Sequence, residues 1–408
     1  EGWSDSYRDG NRHGGIICSF RKNWQDMQVK TVQHGVGDRG AKSRVTGDTV
    51  CGPETLSEDE LVKNRENMWA EILSRPLDGP YYGERTADLG KVTVPLLSSA
   101  NWGGQGLHTR GNFEGFARAA SKDKWLEVHG GSHWAPFYTD YGVKLQKRFF
   151  DHFLKGTANG WDRQPRVLLN VRHPGEKFVP RAENEWPLAR TRWAHFYLDP
   201  DGMRLSSVPA AVDGAVTYEA TGDGVTFSTS PLENDTEITG PSALKLFISS
   251  STTDTDIFAV LRVFDPKGSE VLFQGALDPK TPVGQGWLRA SQRKIDPERS
   301  LPYRPWHSHD EKQPLKLGEI VGIDVEIWPT CIVVPAGYRV ALTIRGRDYE
   351  HDGAAATLSN MKNPMRGCGP FTHDDPTDRP PAEFGGRVTL HFGPGWQSSV
   401  LLPVIPPR

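Results

Sequence analysis

Up to about residue 160 the apolar positions switch between helical and strand spacing. Over 57–74, Leu61, Val62, Met68, Trp69, Ile72 and Leu73 follow a Ser57-Glu58-Asp59-Glu60 capping box, and Pro76 stops the run, which predicts a helix. The compact run Val92-Thr93-Val94-Pro95-Leu96-Leu97-Ser98-Ser99-Ala100 predicts a buried strand. A helix is expected at about 112–121, then a strand at Lys124-Trp125-Leu126-Glu127-Val128. Leu145, Phe149, Phe153 and Leu154 then share one face of a helix that ends at Gly156. Strand, helix, strand and helix with short links imply parallel strands. Past Trp161 the helical spacing disappears. Short strands are predicted at 166–172, 192–197, 244–250, 257–264, 270–275, 320–327, 338–345 and 386–392. Turn sequences such as Asp265-Pro266-Lys267-Gly268 and Pro335-Ala336-Gly337 separate them. That text reads as a β-sandwich or jelly roll, divided from the mixed α/β part near 160–165.

Composition narrows the function classes. The 408 residues carry 48 basic and 51 acidic side chains, a net charge of −3, so no basic excess favours nucleic acid or an anionic membrane. No apolar stretch reaches the ~18 residues that a membrane span needs. Cys18, Cys51, Cys331 and Cys368 form no CxxC and sit at no zinc-site spacing. They read as buried thiols of a cytoplasmic protein.

The segment richest in possible chemistry runs from Ala100-Asn101-Trp102-Gly103-Gly104 to Val128-His129-Gly130-Gly131-Ser132-His133-Trp134. A histidine on a loop just past a parallel strand and before a helix sits where an α/β-hydrolase keeps its general base. Such loops lie at the carboxyl edge of the sheet, where ligands bind. The plain alternative is a surface or capping histidine. A metal shared by His129 and His133 is disfavoured, because Gly130-Gly131 argues against the helix their spacing would need. His307, His309, Asp310 and Glu311 read as a solvated loop, and Asp254 and Asp256 as turn carboxylates rather than calcium ligands. The 13 Trp residues suggest packing more than sugar stacking.

On these residues the chain resembles the cocaine-esterase/X-Pro dipeptidyl-peptidase group of serine hydrolases, which is peptidase S15-like. Ser4-Asp5-Ser6-Tyr7-Arg8-Asp9 with Arg12-His13-Gly14-Gly15 is similar to the group's segment after its sixth core strand. Val94-Pro95-Leu96-Leu97 with Asn101-Trp102 resembles its strand and "GW" element, and Gly131-Ser132-His133 its catalytic histidine loop. Phe149-Phe150-Asp151-His152-Phe153-Leu154-Lys155-Gly156 resembles the helix closing its catalytic domain. Ser249 to Asp256, Pro314 to Glu319 and Val334 to Arg339 resemble pieces of its jelly roll. The resemblance implies the later part of an α/β-hydrolase over 1–160, a helical cap inserted at about 20–90, and a jelly-roll β-sandwich over 161–408. It implies hydrolysis of an ester or amide through an acyl-enzyme, with a Ser-His-acid triad, His133 as base, and Trp102 and Trp134 in the pocket. No metal or organic cofactor is implied.

Two departures qualify it. No G-x-S-x-G elbow occurs, and Gly2-Trp3-Ser4-Asp5-Ser6 is the nearest miss, so Ser4 reads as structural. The nucleophile is therefore expected upstream or on a companion chain. Gly103-Gly104 stands where the group keeps its acid. Glu1 is the expected replacement, reaching across a space that Gly103-Gly104 leaves clear, with Glu114 and Asp140 as alternatives. The expected partners are a small ester or amide substrate and the segment or chain carrying the nucleophile, with no nucleic acid and no membrane; a homodimer stays open. The rival reading is a non-catalytic binding module whose jelly roll holds a ligand or partner.

Overall fold

The computed structural model describes residues 2–52, 54–357 and 364–407. The capping box forms as expected, with the Ser57 side chain on the Glu60 amide and the Glu60 carboxylate on Ser57. The helix it opens is shorter than 57–74: it divides into Glu58–Lys63 and Met68–Leu73. Asn64 caps the first piece, and the Asn67 side chain accepts from the Ala70 amide to start the second, so two asparagines outcompete a continuous helix. With Phe20–Trp24 and Pro80–Gly83, these short helices lie within the stretch expected to be a cap, which is otherwise mostly turns and loops.

Strand β1 is Leu96–Asn101, later than Val92–Ala100, because a 3₁₀ turn at Leu89–Lys91 and the missing N–H of Pro95 delay its start. Helix α1 is Thr109–Arg118, β2 is Lys124–His129 and α2 is Asp140–Lys155. β1 and β2 are parallel, pairing Leu96 with Lys124 through to Asn101 with His129. Alternation along β2 sends Leu126 and Val128 toward Phe113 and Phe116 of α1. Trp125 points the other way, onto Leu145 and Phe149 of α2. Gly156 ends α2 in the left-handed region, at φ 66°. Leu154, expected on the apolar face, is instead exposed.

The sheet does not stop near residue 160. β3, Val167–His173, runs parallel to β2, and β4, Lys177–Glu183, pairs antiparallel with β3. The all-β region then begins with β5, Arg192–Asp199; after three short strands at Arg204–Ser206, Gly214–Glu219 and Val225–Ser228 come β6, Thr236–Ser250, β7, Asp256–Phe264, β8, Gly284–Arg289, and β9, Val321–Val334. It ends with β10, Arg339–Arg345, β11, Arg387–Phe392, and β12, Ser399–Ile405. β7 lies between β8 and β10, and β6 pairs with β9, β11 and β12. β9 also touches β8, so the sheet curls round its core. The segment 270–275, expected to be a strand, is a loop with isolated bridges at Glu270 and Phe273. β8 escaped detection because Gly284-Gln285-Gly286 breaks the apolar pattern; a Cβ at Gly286 would come within 2.3 Å of the Glu326 carbonyl.

Leu244, Leu246, Ile257, Leu342 and Leu390 are fully buried in this core. Leu246→Ala is expected to cost about 2–5 kcal/mol, read from the urea unfolding midpoint. All four cysteines are buried and free, as their sequence setting suggested. Trp102, Trp161 and Trp306 are among the largest fully buried side chains, so these tryptophans serve packing. The Asp254 carboxylate accepts from the amides of Thr255 and Ser291, while Asp256 pairs with Arg289 and Arg379.

The N-terminal segment joins this framework through buried arginines. Arg12 meets Asp378 at 2.7 Å, and Arg289 meets the same carboxylate at 2.9 Å. Burial alone would raise the Asp378 pKa, but Arg289 and Arg12 outweigh it and hold it at about 2. A carboxylate depressed in the folded state adds stability above its unfolded pKa of about 3.9, and that stability is lost as pH falls toward the folded value. Stability against urea should therefore drop between about pH 4 and pH 2. Asp378→Asn should be weaker throughout and show a flatter dependence in that window.

Candidate active site

β2 delivers its last residue, His129, to the carboxyl edge of the sheet, and Gly131, at φ 74°, turns the chain toward His133. The His133 amide donates to the Ala276 carbonyl at 3.2 Å, so a loop of the all-β region fixes the turn. The His133 ring stacks on His108 with centroids 5.7 Å apart, and Trp134 meets it edge-on at 4.5 Å. His108 precedes α1. Burial, and then the neighbouring His133, hold the His108 pKa at about 3. A neutral His108 adds no second positive charge when His133 takes a proton.

His133 borders a cavity of about 220 Å³ between the β1–β2 edge and α2, with Phe149 and Tyr141 on its wall. On the sheet side lies a hydrogen-bonded group that sequence reading missed. The Glu127 carboxylate accepts from Ser99 Oγ at 2.6 Å, lies 2.9 Å from His129 Nδ1, and accepts from the Tyr141 hydroxyl at 3.3 Å. An acid flanked by apolar residues inside a predicted strand was the available signal. His129 is thus a strand-end residue oriented by its own neighbour, while His133 stands on the loop beyond.

The expected acids separate. Glu1 lies outside the described residues. Glu114 gives both carboxylate oxygens to Arg304, at 2.5 and 2.6 Å, with Arg118 at 3.7 Å. Asp140 sits in the exposed first turn of α2, after the Thr139 cap. Trp102, expected in the pocket, packs against Phe113 and Trp186 in the core and donates to the Asn170 carbonyl. Trp134 is half exposed beside His133. The place beside Gly103 is not clear: an added Cβ would lie 2.5 Å from Gly275 Cα, so backbone of the all-β region fills it.

Ser4 is structural, as expected: its amide and hydroxyl both donate to Asp9 Oδ2, at 2.8 and 3.0 Å. His307 and His309 are buried rather than solvated, whereas Asp310 and Glu311 are exposed. His309 Nδ1 lies 2.7 Å from Gln292 Oε1, and the His307 carbonyl accepts from Arg8, which draws both histidines inward.

Residues 159–401 match the X-Pro dipeptidyl-peptidase C-terminal non-catalytic domain. The chain belongs to this family. The resemblance to the cocaine-esterase group is also borne out. A CocE/NonD family hydrolase from Staphylococcus aureus superimposes with a TM-score of 0.82 at 27% identity, covering 99% of this chain and 66% of that one. The cocaine esterase of Rhodococcus is 27% identical over 243 residues, 50% of this chain and 38% of its own length. A Mycobacterium bovis protein whose name places it with the serine esterases is 26% identical over 263 residues, 53% of this chain and again 38% of its own. The chain thus matches well under half the length of these curated relatives. At family level these similarities support a hydrolase. Among the described residues no helix is long and apolar enough to cross a membrane.

Proposed function

We propose that this chain supplies the general base of a serine hydrolase that cleaves an ester or amide through an acyl-enzyme. The observation that carries this reading is the position of His133, on the loop past a parallel strand and beside a cavity. The residues up to the end of β4 act as the later part of an α/β-hydrolase with a helical cap, and the all-β region from β5 onward as a jelly-roll domain that holds the histidine loop through Ala276. The nucleophile is a serine on a segment or companion chain outside these residues. Its hydroxyl adds to the substrate carbonyl while His133 takes the hydroxyl proton, then returns that proton to the departing alcohol or amine. Water repeats the sequence and releases the acid. Glu1 is the proposed partner that orients the imidazole. No cofactor enters these steps.

Fluorophosphonate labelling tests the reading. The protein with its nucleophile-bearing part is expected to gain one covalent adduct on a serine, seen as an intact-mass shift, while residues 1–408 alone gain none. Failure of the whole assembly to label would favour a binding module, the role that the non-catalytic description of residues 159–401 suits.

A further inference from the structure

Three ligating side chains that the proposed hydrolysis does not use meet in the interior. His13 lies in the hairpin pairing Arg12–His13 with Ile16–Ile17, and Cys18 follows that hairpin directly. His373 lies in the loop between β10 and β11. All three are fully buried, and their ligating atoms lie within 4.8 Å of one another. The rings of Trp287 and Trp328 stand 5.0 and 5.1 Å from that of His13 and close the site from one side.

The hydrogen bonds behind the two imidazoles show which nitrogens are left for a ligand. His373 Nδ1 is 2.8 Å from Asp348 Oδ1, and His13 Nε2 is 3.3 Å from the Asp9 carbonyl oxygen. A carboxylate only accepts, so His373 Nδ1 carries the hydrogen and His373 Nε2 keeps its lone pair. His13 Nδ1 and His373 Nε2 face each other at 2.8 Å. Between the two inner nitrogens sits either a hydrogen shared by the rings or a metal ion.

The third donor decides between them. A shared proton needs only the two rings, whereas a metal also uses the thiolate sulfur of Cys18. Two imidazoles and a thiolate suit a borderline-soft ion such as zinc and not calcium or magnesium. Metal-bound imidazoles usually donate their other N–H to a carboxylate or a backbone carbonyl, the arrangement already present behind both rings. We propose that His13 Nδ1, His373 Nε2 and Cys18 Sγ bind a zinc ion. On binding, the Cys18 thiol gives its proton to solvent and the sulfur forms the metal bond. The inner nitrogens open from 2.8 Å to about 3.3 Å, as tetrahedral geometry with ~2.0 Å Zn–N bonds requires. Because the site is closed by aromatic rings and His13 and His373 lie 360 residues apart in sequence, the ion ties the N-terminal hairpin to the all-β region.

The test uses the protein together with its nucleophile-bearing part, stripped with a chelator and then dialysed against zinc chloride. Elemental analysis should find about one zinc per chain. Cys18→Ala and His373→Ala should lose it, while Cys51→Ala keeps it. Cobalt(II) in place of zinc should give a near-ultraviolet thiolate-to-cobalt charge-transfer band, absent from Cys18→Ala. That band reads the wild-type protein directly, so the result stands even where a variant fails to fold. Less than about a tenth of an equivalent of zinc with no cobalt band would overturn the proposal and leave a shared proton between the rings. Zinc retained by both ligand variants would overturn it equally.

Discussion

His133→Ala is expected to lower turnover of a chromogenic ester by about 10³-fold or more in the assembled enzyme, with KM little changed. In the proposed mechanism the imidazole carries the proton in both halves of the reaction. His108 stacks on it, but burial keeps that ring neutral, with a pKa of about 3, and so a poor proton acceptor near neutrality. His129→Ala should cost far less, because His129 is hydrogen-bonded to Glu127 within the strand. Circular dichroism should show both variants folded. The Glu1→Gln variant supplies the companion measurement: loss of the orienting carboxylate should lower turnover by up to about 10⁴-fold, while Glu114→Gln acts through its Arg304 pair on stability. Equal losses at His129 and His133 would point to a shared folding role and sink the assignment of His133 as base.

What the sequence disclosed and what it hid follow physical lines. Periodicity found β2 and α2 because one face of each is buried over several residues in succession. The Ser57–Glu60 box was legible because a capping box is a local contract between neighbours. The 57–74 helix was overextended because two asparagines, tolerable inside a helix by count, each formed a cap instead. Strand β8 was invisible because its glycines answer to the backbone of β9, a neighbour remote in sequence. The same reason explains the site. The place of His133 on a loop past a parallel strand could be read from strand and glycines, all local. The filling of the Gly103 position by Gly275 could not, nor could the meeting of His13 and Cys18 with His373. Trp102 adjoins the site in sequence, but its indole turns to the core against Phe113 and Trp186.

Arg110→Met is expected to destabilise the fold by about 3–5 kcal/mol, measured by urea unfolding at neutral pH. Arg110 projects from α1 and is almost wholly buried. Its Nη1 donates to Asp9 Oδ1 at 2.8 Å, and its Nε donates to both oxygens of Glu326, at 2.9 and 3.1 Å. One guanidinium therefore neutralises a carboxylate of the N-terminal segment and another on β9. Asp9 is further committed, since its Oδ2 accepts from the amides of Ser4 and Asp5. Methionine would fill the space of the arginine stem but leave two buried carboxylates without a cation, and that uncompensated charge dominates the cost. Two consequences separate this from a simple loss of packing. The deficit should shrink as pH is lowered and the orphaned acids take up protons. Adding Asp9→Asn and Glu326→Gln to Arg110→Met should restore part of the stability, because the charges that need the guanidinium are gone. A loss below about 1 kcal/mol, or one independent of pH, would show that the pairs add little beyond shape. The effect should reach the proposed chemistry as well. Arg110 lies two residues past His108, whose ring stacks on His133, so the same ion pairs that join three parts of the chain also hold the wall against which the base is set.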